Sequence, residues 1–420
     1  MATARVLAPV VEEVQRPSLR WNFSCALVGN VVYAGCQWGM LVEIAKLGRP
    51  DMVGRFALGL AVGAPVFMLT NLQLRALQAT DFAGEYRFFD YLRLRALMTI
   101  AGFLTIVAIA FAGGYEREAL LVILFVGLAK AFEAMSDICY GALQQREQMD
   151  RVTISLMVKG GLSLSALGLV LALTRNLVMA TAALACAWMA VFLFYDLRVS
   201  LPKNEPAGRF SGALLWKLAK FSLPLGLSMM MISLNTNIPR YFVEHYRGAH
   251  DLGIFAALSY LVIAGSTVTN ALGQAVTPRM AAAFVLRRDQ FYGLLRKMLM
   301  VGAAMGIAGL AGAYFFGRVA LRLIYRPEYA EHQDVLMWLM LAAGLSHLFS
   351  FLGYSATATR LFDRILIPYA AVTAVTFAAA FLVKPFGLTG GAWSMCASYL
   401  ASCAVPIWIL WYASRRSPET

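Results

Sequence analysis

Charged side chains are scarce in this chain, only 14% of 420 residues, where a globular protein usually carries about 25%. That is too few to cover a soluble surface. Histidine is nearly missing as well: His245, His250, His332 and His347 are the only four and lie far apart. With them goes any paired-histidine metal motif, and neither a Gly-x-Ser-x-Gly elbow nor a phosphate-cradling Walker A loop is present, so enzyme signatures are missing and transport driven by ATP on this chain is not expected. The six cysteines (Cys25, Cys36, Cys139, Cys186, Cys396, Cys403) all fall in apolar stretches without a Cys-x-x-Cys pair. Neither a disulfide framework nor a zinc site is indicated, and no cofactor or metal is expected. The first 20 residues carry Glu12, Glu13, Arg16 and Arg20 and lack the basic start, short apolar core and cleavage site of a secretory signal; the first apolar run is expected to stay as an anchor.

What the chain has instead is hydrophobicity: 60% apolar residues and a mean hydropathy of +0.67. About 20 apolar residues in a helix cross a hydrocarbon core of about 30 Å. About twelve segments satisfy this, near 22–45, 56–79, 96–114, 119–141, 152–174, 177–197, 220–243, 252–276, 294–316, 335–357, 365–383 and 389–412. The fold class is therefore all-α and polytopic. The loops are short, about 20 residues at most, too small for a soluble catalytic domain.

A net charge of +13 could suggest nucleic acid, but the basic residues stand singly between apolar runs and form no stripe. They mark topology. With the N-terminus inside, cytoplasmic segments carry about 24 basic residues and outer ones about 11, the positive-inside pattern. Both termini are expected in the cytoplasm. The organisation read from this is a cytoplasmic segment (1–21), a six-span lobe (22–197), a linker with Pro202 and Pro206 (198–219), a second six-span lobe (220–412) and a tail (413–420).

The halves echo each other. Gly54, Phe56 and Ala57, entering the second span, match Gly253, Phe255 and Ala256, entering the eighth, and at the same offset Thr70-Asn71 falls on Thr269-Asn270. Both halves start on the same side, so the repeat is parallel, about an axis along the membrane normal.

Ionisable groups at membrane depth cost a few kcal/mol each and usually face a bundle interior or a wet cavity. Lys130, Glu133 and Asp137 in the fourth span share one helix face, with Lys130 about 16 Å along the helix from either end. They either line a cavity or form a self-neutralising pair at a helix interface. Arg75 and Lys159 stand near span ends, where snorkelling and ligand contact both fit. Asn235, Asn237, Pro239, Arg240 and Glu244 make the seventh span polar, with a kink expected at Pro239 and a possible Arg240–Glu244 pair four residues apart. Glu43 is a candidate proton or cation site; Asn71, Asn270 and Gln274 are cavity or interhelical hydrogen-bonding groups.

Several stretches in order, Asp51-Met52-Val53-Gly54-Arg55-Phe56-Ala57-Leu58, Asn71-Leu72-Gln73-Leu74-Arg75, Asn237-Ile238-Pro239-Arg240-Tyr241, Leu252-Gly253-Ile254-Phe255-Ala256 and Ile324-Tyr325-Arg326-Pro327-Glu328-Tyr329, resemble the polysaccharide transporter (Wzx-type) branch of the multidrug/oligosaccharidyl-lipid/polysaccharide (MOP) exporter superfamily. Arg326 departs from the glycine more usual there. The resemblance implies a MATE-like fold and a flippase that moves an undecaprenyl-pyrophosphate-linked oligosaccharide to the outer leaflet of a bacterial inner membrane. It further implies membrane lipids, a polysaccharide polymerase and chain-length proteins as partners, and H+ or Na+ as coupling ion. On that basis Lys130, Arg75, Arg240 and Lys159 would handle the anionic headgroup, with Glu133, Asp137 and Glu43 as coupling or cavity carboxylates. The alternatives are a multidrug exporter of the same superfamily, whose cavity should be anionic, and a membrane polymerase or ligase, which should carry a large outer loop.

Overall fold

The computed structural model describes residues 19–81, 84–202, 211–358 and 366–415, and among them every regular element is helical. In chain order these are α1 (Leu19–Leu47), α2 (Pro50–Thr70), α3 (Leu74–Thr80), α4 (Phe88–Ala112), α5 (Arg117–Gln145), α6 (Met149–Thr174), α7 (Leu177–Val191), α8 (Leu197–Ser200), α9 (Gly212–Leu286), α10 (Arg288–Ile324), α11 (Gln333–Ala358), α12 (Leu366–Ala380) and α13 (Val383–Arg415). Ten stretches are long and apolar enough to cross a membrane, and the shorter α12 is apolar as well. Long helices follow from the hydropathy: in hydrocarbon each backbone N–H and C=O must be bonded inside its own segment.

Helix α9 is two spans joined without a loop. Its backbone leaves helical values at Gly248 (φ 83°, ψ −179°), a conformation open to glycine and strained for other residues. The chain reverses there, and the backbone keeps helical values through Pro239, so the helix is not interrupted at the expected kink. A proline costs little here because its missing hydrogen bond and ring clash can be absorbed by neighbouring helices. The second expected span is also corrected. Instead of one helix over 56–79, α2 ends at Thr70, Leu72 and Gln73 take left-handed φ of 50° and 52°, and α3 restarts at Leu74. Helix α9 starts at Gly212, inside the segment read as linker; 203–210, 1–18 and 416–420 lie outside the described residues.

Helices α1 to α7 pack among themselves, as do α9 to α13, giving two bundles. Their main seam is α2 against α9. An ideal Cβ on Gly54 would overlap the carbonyl oxygen of Ala249, and one on Gly253 would overlap that of Pro50. The two repeat-related glycines thus make the same contact in opposite senses, as a two-fold axis requires. The repeat read from the sequence is a symmetric backbone crossing.

Further ties gather at this end of the bundle. The two ring nitrogens of His250 lie 3.3 Å from Asp51 and 3.2 Å from Glu328. Trp38 donates to the Tyr325 hydroxyl at 3.0 Å, which donates to the Ala257 carbonyl at 2.9 Å, and Arg326 donates to the Lys46 carbonyl at 2.7 Å. Along α2 the contact continues through Tyr241, whose hydroxyl donates to the Ala61 carbonyl, to Gly226 beside the Leu69 carbonyl. Helix α1 meets the second half at Trp38 and Lys46, while Trp21, Phe23, Val28 and Val31 nearer its start are exposed. The bundles thus stay in contact along α2 from the Gly54 end to Leu69.

Because the Gly54 and Gly253 contacts are with backbone, Gly54→Val and Gly253→Val should each cost about 1–3 kcal/mol by overpacking, seen as a lower unfolding temperature in detergent. Gly35→Ala, where a Cβ meets nothing within 4 Å, should leave it unchanged or raise it.

Candidate functional site

Helix α5 is the axis of the first bundle, touching α2, α3, α4, α6 and α7. Its sequence is Ala, Leu, Val and Ile interrupted by Lys130, Glu133 and Asp137, whose spacing of three and four residues holds them on one face. All three stay partly open, with side chains 25%, 28% and 28% exposed. Each reaches a different neighbour.

Lys130 donates to Glu133 at 2.7 Å and lies 5.2 Å from the Trp188 ring centroid on α7. The hydroxyl of Tyr33 on α1 donates to the other Glu133 oxygen. Lys130 is thus a paired cation stacked on an indole face, a combination that lowers the cost of holding it in the bundle. One turn further, Asp137 accepts from Arg75 at 3.2 Å and from Arg95 at 3.1 Å. Arg95, on α4, is fully buried and also donates to the side chain of Asn71. Arg75, on α3, is one-third exposed, donates to Gln144 at 3.2 Å and lies 5.5 Å from the Tyr140 ring. The left-handed pair at Leu72 and Gln73 explains this placement: it breaks α2 and turns the next helix so that Arg75 faces Asp137.

Lys159 occupies neither of the two positions open to it from sequence. It is 1% exposed, donates to Tyr140 at 3.0 Å and Asp196 at 3.4 Å, while Ser155 donates to Asp196 and shares a 2.7 Å bond with Tyr140. Enclosed this way, it does not snorkel, and its ammonium is already paired inside the bundle. Asp196 reaches it because α7 gives way to a π-helical turn, Phe192–Asp196, which rotates the following residues. Arg95, Asp196, Tyr33, Tyr140 and Ser155 are the residues sequence reasoning missed. Arg95 and Asp196 stand at the edges of their expected spans, where a charge reads as interfacial.

In the second bundle, Arg240 is 8% exposed and donates to Asn237 at 3.0 Å, with its Nε unpartnered. It turns back to Asn237, and no ion pair with Glu244 forms among the described residues. Asn237 itself donates to the Ser233 carbonyl at 2.8 Å. Asn235 is buried with Oδ1 unpartnered, and Asn270 accepts from Tyr354 at 3.3 Å. Gln274 lies in α9, and its side chain is outside the described residues. Glu43 lies between α1 and α6 against Gly168, with Oε2 buried and unpartnered. The candidates therefore separate into an ionic network in the first bundle and a weakly charged, amide-rich set in the second. Within the network Arg75, Arg95, Lys130 and Lys159 stand against Glu133, Asp137 and Asp196, which leaves one cation in excess. A groove of about 1070 Å³ between α2, α4 and the first arm of α9 is lined by Glu244 but by none of the cations expected to handle a headgroup.

Comparison with known proteins bears on what such a membrane bundle does. The family described as "Polysaccharide biosynthesis protein" matches residues 51–284, more than half of the chain. The chain belongs to this family. Among curated relatives it is similar to the capsular polysaccharide biosynthesis protein CapF of Staphylococcus aureus, 28% identical over 348 residues, covering 80% of this chain and 85% of CapF. Among solved structures it matches an inward-facing multidrug resistance MATE transporter of the MOP superfamily (TM-score 0.68, 15% identity, 95% of each chain) and the lipid II flippase MurJ in an inward closed conformation (TM-score 0.70, 13% identity, 94% of this chain and 88% of MurJ). The chain thus shares the fold of these structures over nearly its whole length.

Lys159 and Asp196 give a direct check of the network. Removing one partner leaves an uncompensated buried charge, so Lys159→Met or Asp196→Leu alone should cost about 3–5 kcal/mol. The double substitution should recover most of that loss in detergent unfolding.

Proposed function

We propose that this protein is a flippase for an undecaprenyl-pyrophosphate-linked oligosaccharide, moving it between the leaflets of a bacterial inner membrane with both of its termini in the cytoplasm. The observation that carries this reading is the convergence of Arg75 and Arg95 on the one carboxylate of Asp137. A buried cation without its own carboxylate is costly, and an arriving diphosphate supplies the missing charge in the bidentate form that guanidinium favours. Arg75, one-third exposed, is the group positioned to exchange Asp137 for phosphate oxygens. Lys130, a quarter exposed, offers a second cation deeper along α5.

The shape agrees with the chemistry. In the orientation given by the positive-inside pattern, the Gly54 crossing would lie on the outer side, and loading of such a lipid would take place from the cytoplasmic side and the inner leaflet. Rocking of the two bundles about the α2 and α9 seam would then open the opposite side. Support also comes from the family's association with polysaccharide biosynthesis and from CapF, which suggest a polymerase and chain-length proteins as downstream partners. Coupling to H+ or Na+ would fall to Glu43 or Glu133.

Glu43, whose buried Oε2 has no partner, also favours a second reading, export of an organic cation. The two separate in proteoliposomes. Flipping of undecaprenyl-pyrophosphate-linked oligosaccharide should fall about tenfold or more in Arg75→Ala and Lys130→Ala, the loss of one charged hydrogen bond being worth about 1.5–3 kcal/mol, while Arg75→Lys should retain part of it. Unchanged flipping in both alanine variants at equal protein level, or transport of ethidium abolished by Glu43→Gln, would reverse the choice.

A further inference from the structure

The second bundle contains a chamber that the ionic network does not reach. Between the first arm of α9, α11, α12 and α13 lies a space of about 830 Å³, walled by groups such as Pro224, Met229, Pro406 and Ile409. It shares Ile232, Asn270, Phe349, Ser350 and Tyr369 with an adjoining recess of about 200 Å³. The recess is of another character. Asn235, Ser346, Ser398 and Ser402 line it, and none of its described lining residues is charged.

Asn235 is the telling group. It is only 6% exposed, it borders the recess, and its Oδ1 accepts no hydrogen bond. Leaving such an acceptor empty costs about 1–3 kcal/mol, and native structures rarely do so without a ligand or water to fill the place. At about 30 Å³ per water, the recess could hold about six waters, each displaceable by a group that repeats its hydrogen bonds.

The lining restricts what that group is. A phosphate would need a cation and an organic cation would need a carboxylate, and the described walls supply neither. A prenyl chain suits the apolar chamber but would leave the Asn235 amide oxygen unpaired, whereas the Ser346 and Ser398 hydroxyls already bond within the protein. A neutral ring bearing hydroxyls satisfies both donors and acceptors, and Tyr369 and Phe349, where chamber meets recess, offer aromatic faces for its C–H surface.

We propose that this recess is a sugar-binding subsite, which takes one ring of the lipid-linked glycan while the Arg75 and Arg95 cluster takes the pyrophosphate. The proposal rests on the flippase reading and adds that glycan and phosphate are recognised in different bundles. Selectivity among sugars then resides in α9, α11 and α13, away from every charged residue of the network.

The experiment compares two probes on protein in nanodiscs: undecaprenyl pyrophosphate without sugar, and the lipid-linked oligosaccharide pool extracted from the source bacterium. Wild type should bind the sugar-bearing lipid the more tightly. Asn235→Leu and, as a milder variant, Ser402→Ala should weaken that lipid about tenfold and several-fold respectively, leaving the sugar-free lipid unchanged; unfolding temperature identifies any variant that fails to fold. Arg75→Ala should weaken both probes. Equal wild-type affinity for the two probes would overturn the subsite alone, as would equal weakening of both by Asn235→Leu, which would instead assign the chamber to the prenyl tail. Binding of neither probe by wild type would overturn the flippase reading and the subsite together.

Discussion

A charge placed in hydrocarbon must be compensated where it stands, and the first bundle is organised by that constraint. Helix α5 carries Lys130, Glu133 and Asp137 on a single face, and four other helices supply their partners: Tyr33 from α1, Arg75 from α3, Arg95 from α4 and Trp188 from α7. Each pairing costs little only when its geometry is good and the remaining polar atoms are bonded. Satisfying them together fixes how far each helix is turned about its own axis. The unusual local features serve this end: two left-handed residues aim Arg75, and a π-helical turn aims Asp196. The Lys159 and Asp196 pair is enclosed, whereas Arg75 and Lys130 stay partly open.

The second constraint is the close approach of backbone at Gly54 and Gly253. Only residues without a Cβ permit it, and it sets the distance between the bundles at one end without fixing the other. Contact then continues along α2 through Tyr241 to Gly226 beside the Leu69 carbonyl, so the crossing is the start of a seam that follows the length of one helix.

How much of this the sequence revealed depends on the range of the interaction involved. Runs of about 20 apolar residues can do little in a bilayer except form helices, so the spans and the parallel repeat were legible. Lys130 with Glu133, three residues apart, was legible as a pair for the same local reason. Arg75 with Asp137 and Lys159 with Asp196 were not, since 62 and 37 residues separate their members and no local pattern records which helices become neighbours. The break after Thr70 was hidden because Leu72 and Gln73 take a conformation that glycine or asparagine usually announces. Pro239 misled in the opposite sense: proline marks a possible kink, and the actual reversal was available nine residues later at Gly248, a glycine between two helical arms.

The repeat preserves backbone geometry while the chemistry built on it diverges. Asn71 and Asn270 stand at equivalent positions, yet the side-chain oxygen of Asn71 accepts from a buried arginine and that of Asn270 from a tyrosine hydroxyl. One ancestral position thus belongs to an ionic cluster in one bundle and borders a neutral recess in the other. A substrate with chemically uniform surroundings would favour two similar bundles, because each would then contribute equal contacts. A molecule with a charged diphosphate at one point and neutral sugars beyond it favours the opposite. On the proposed reading such a substrate would call for bundles that keep the shared crossing and differ in the groups they present, and the asymmetry between Asn71 and Asn270 fits that call.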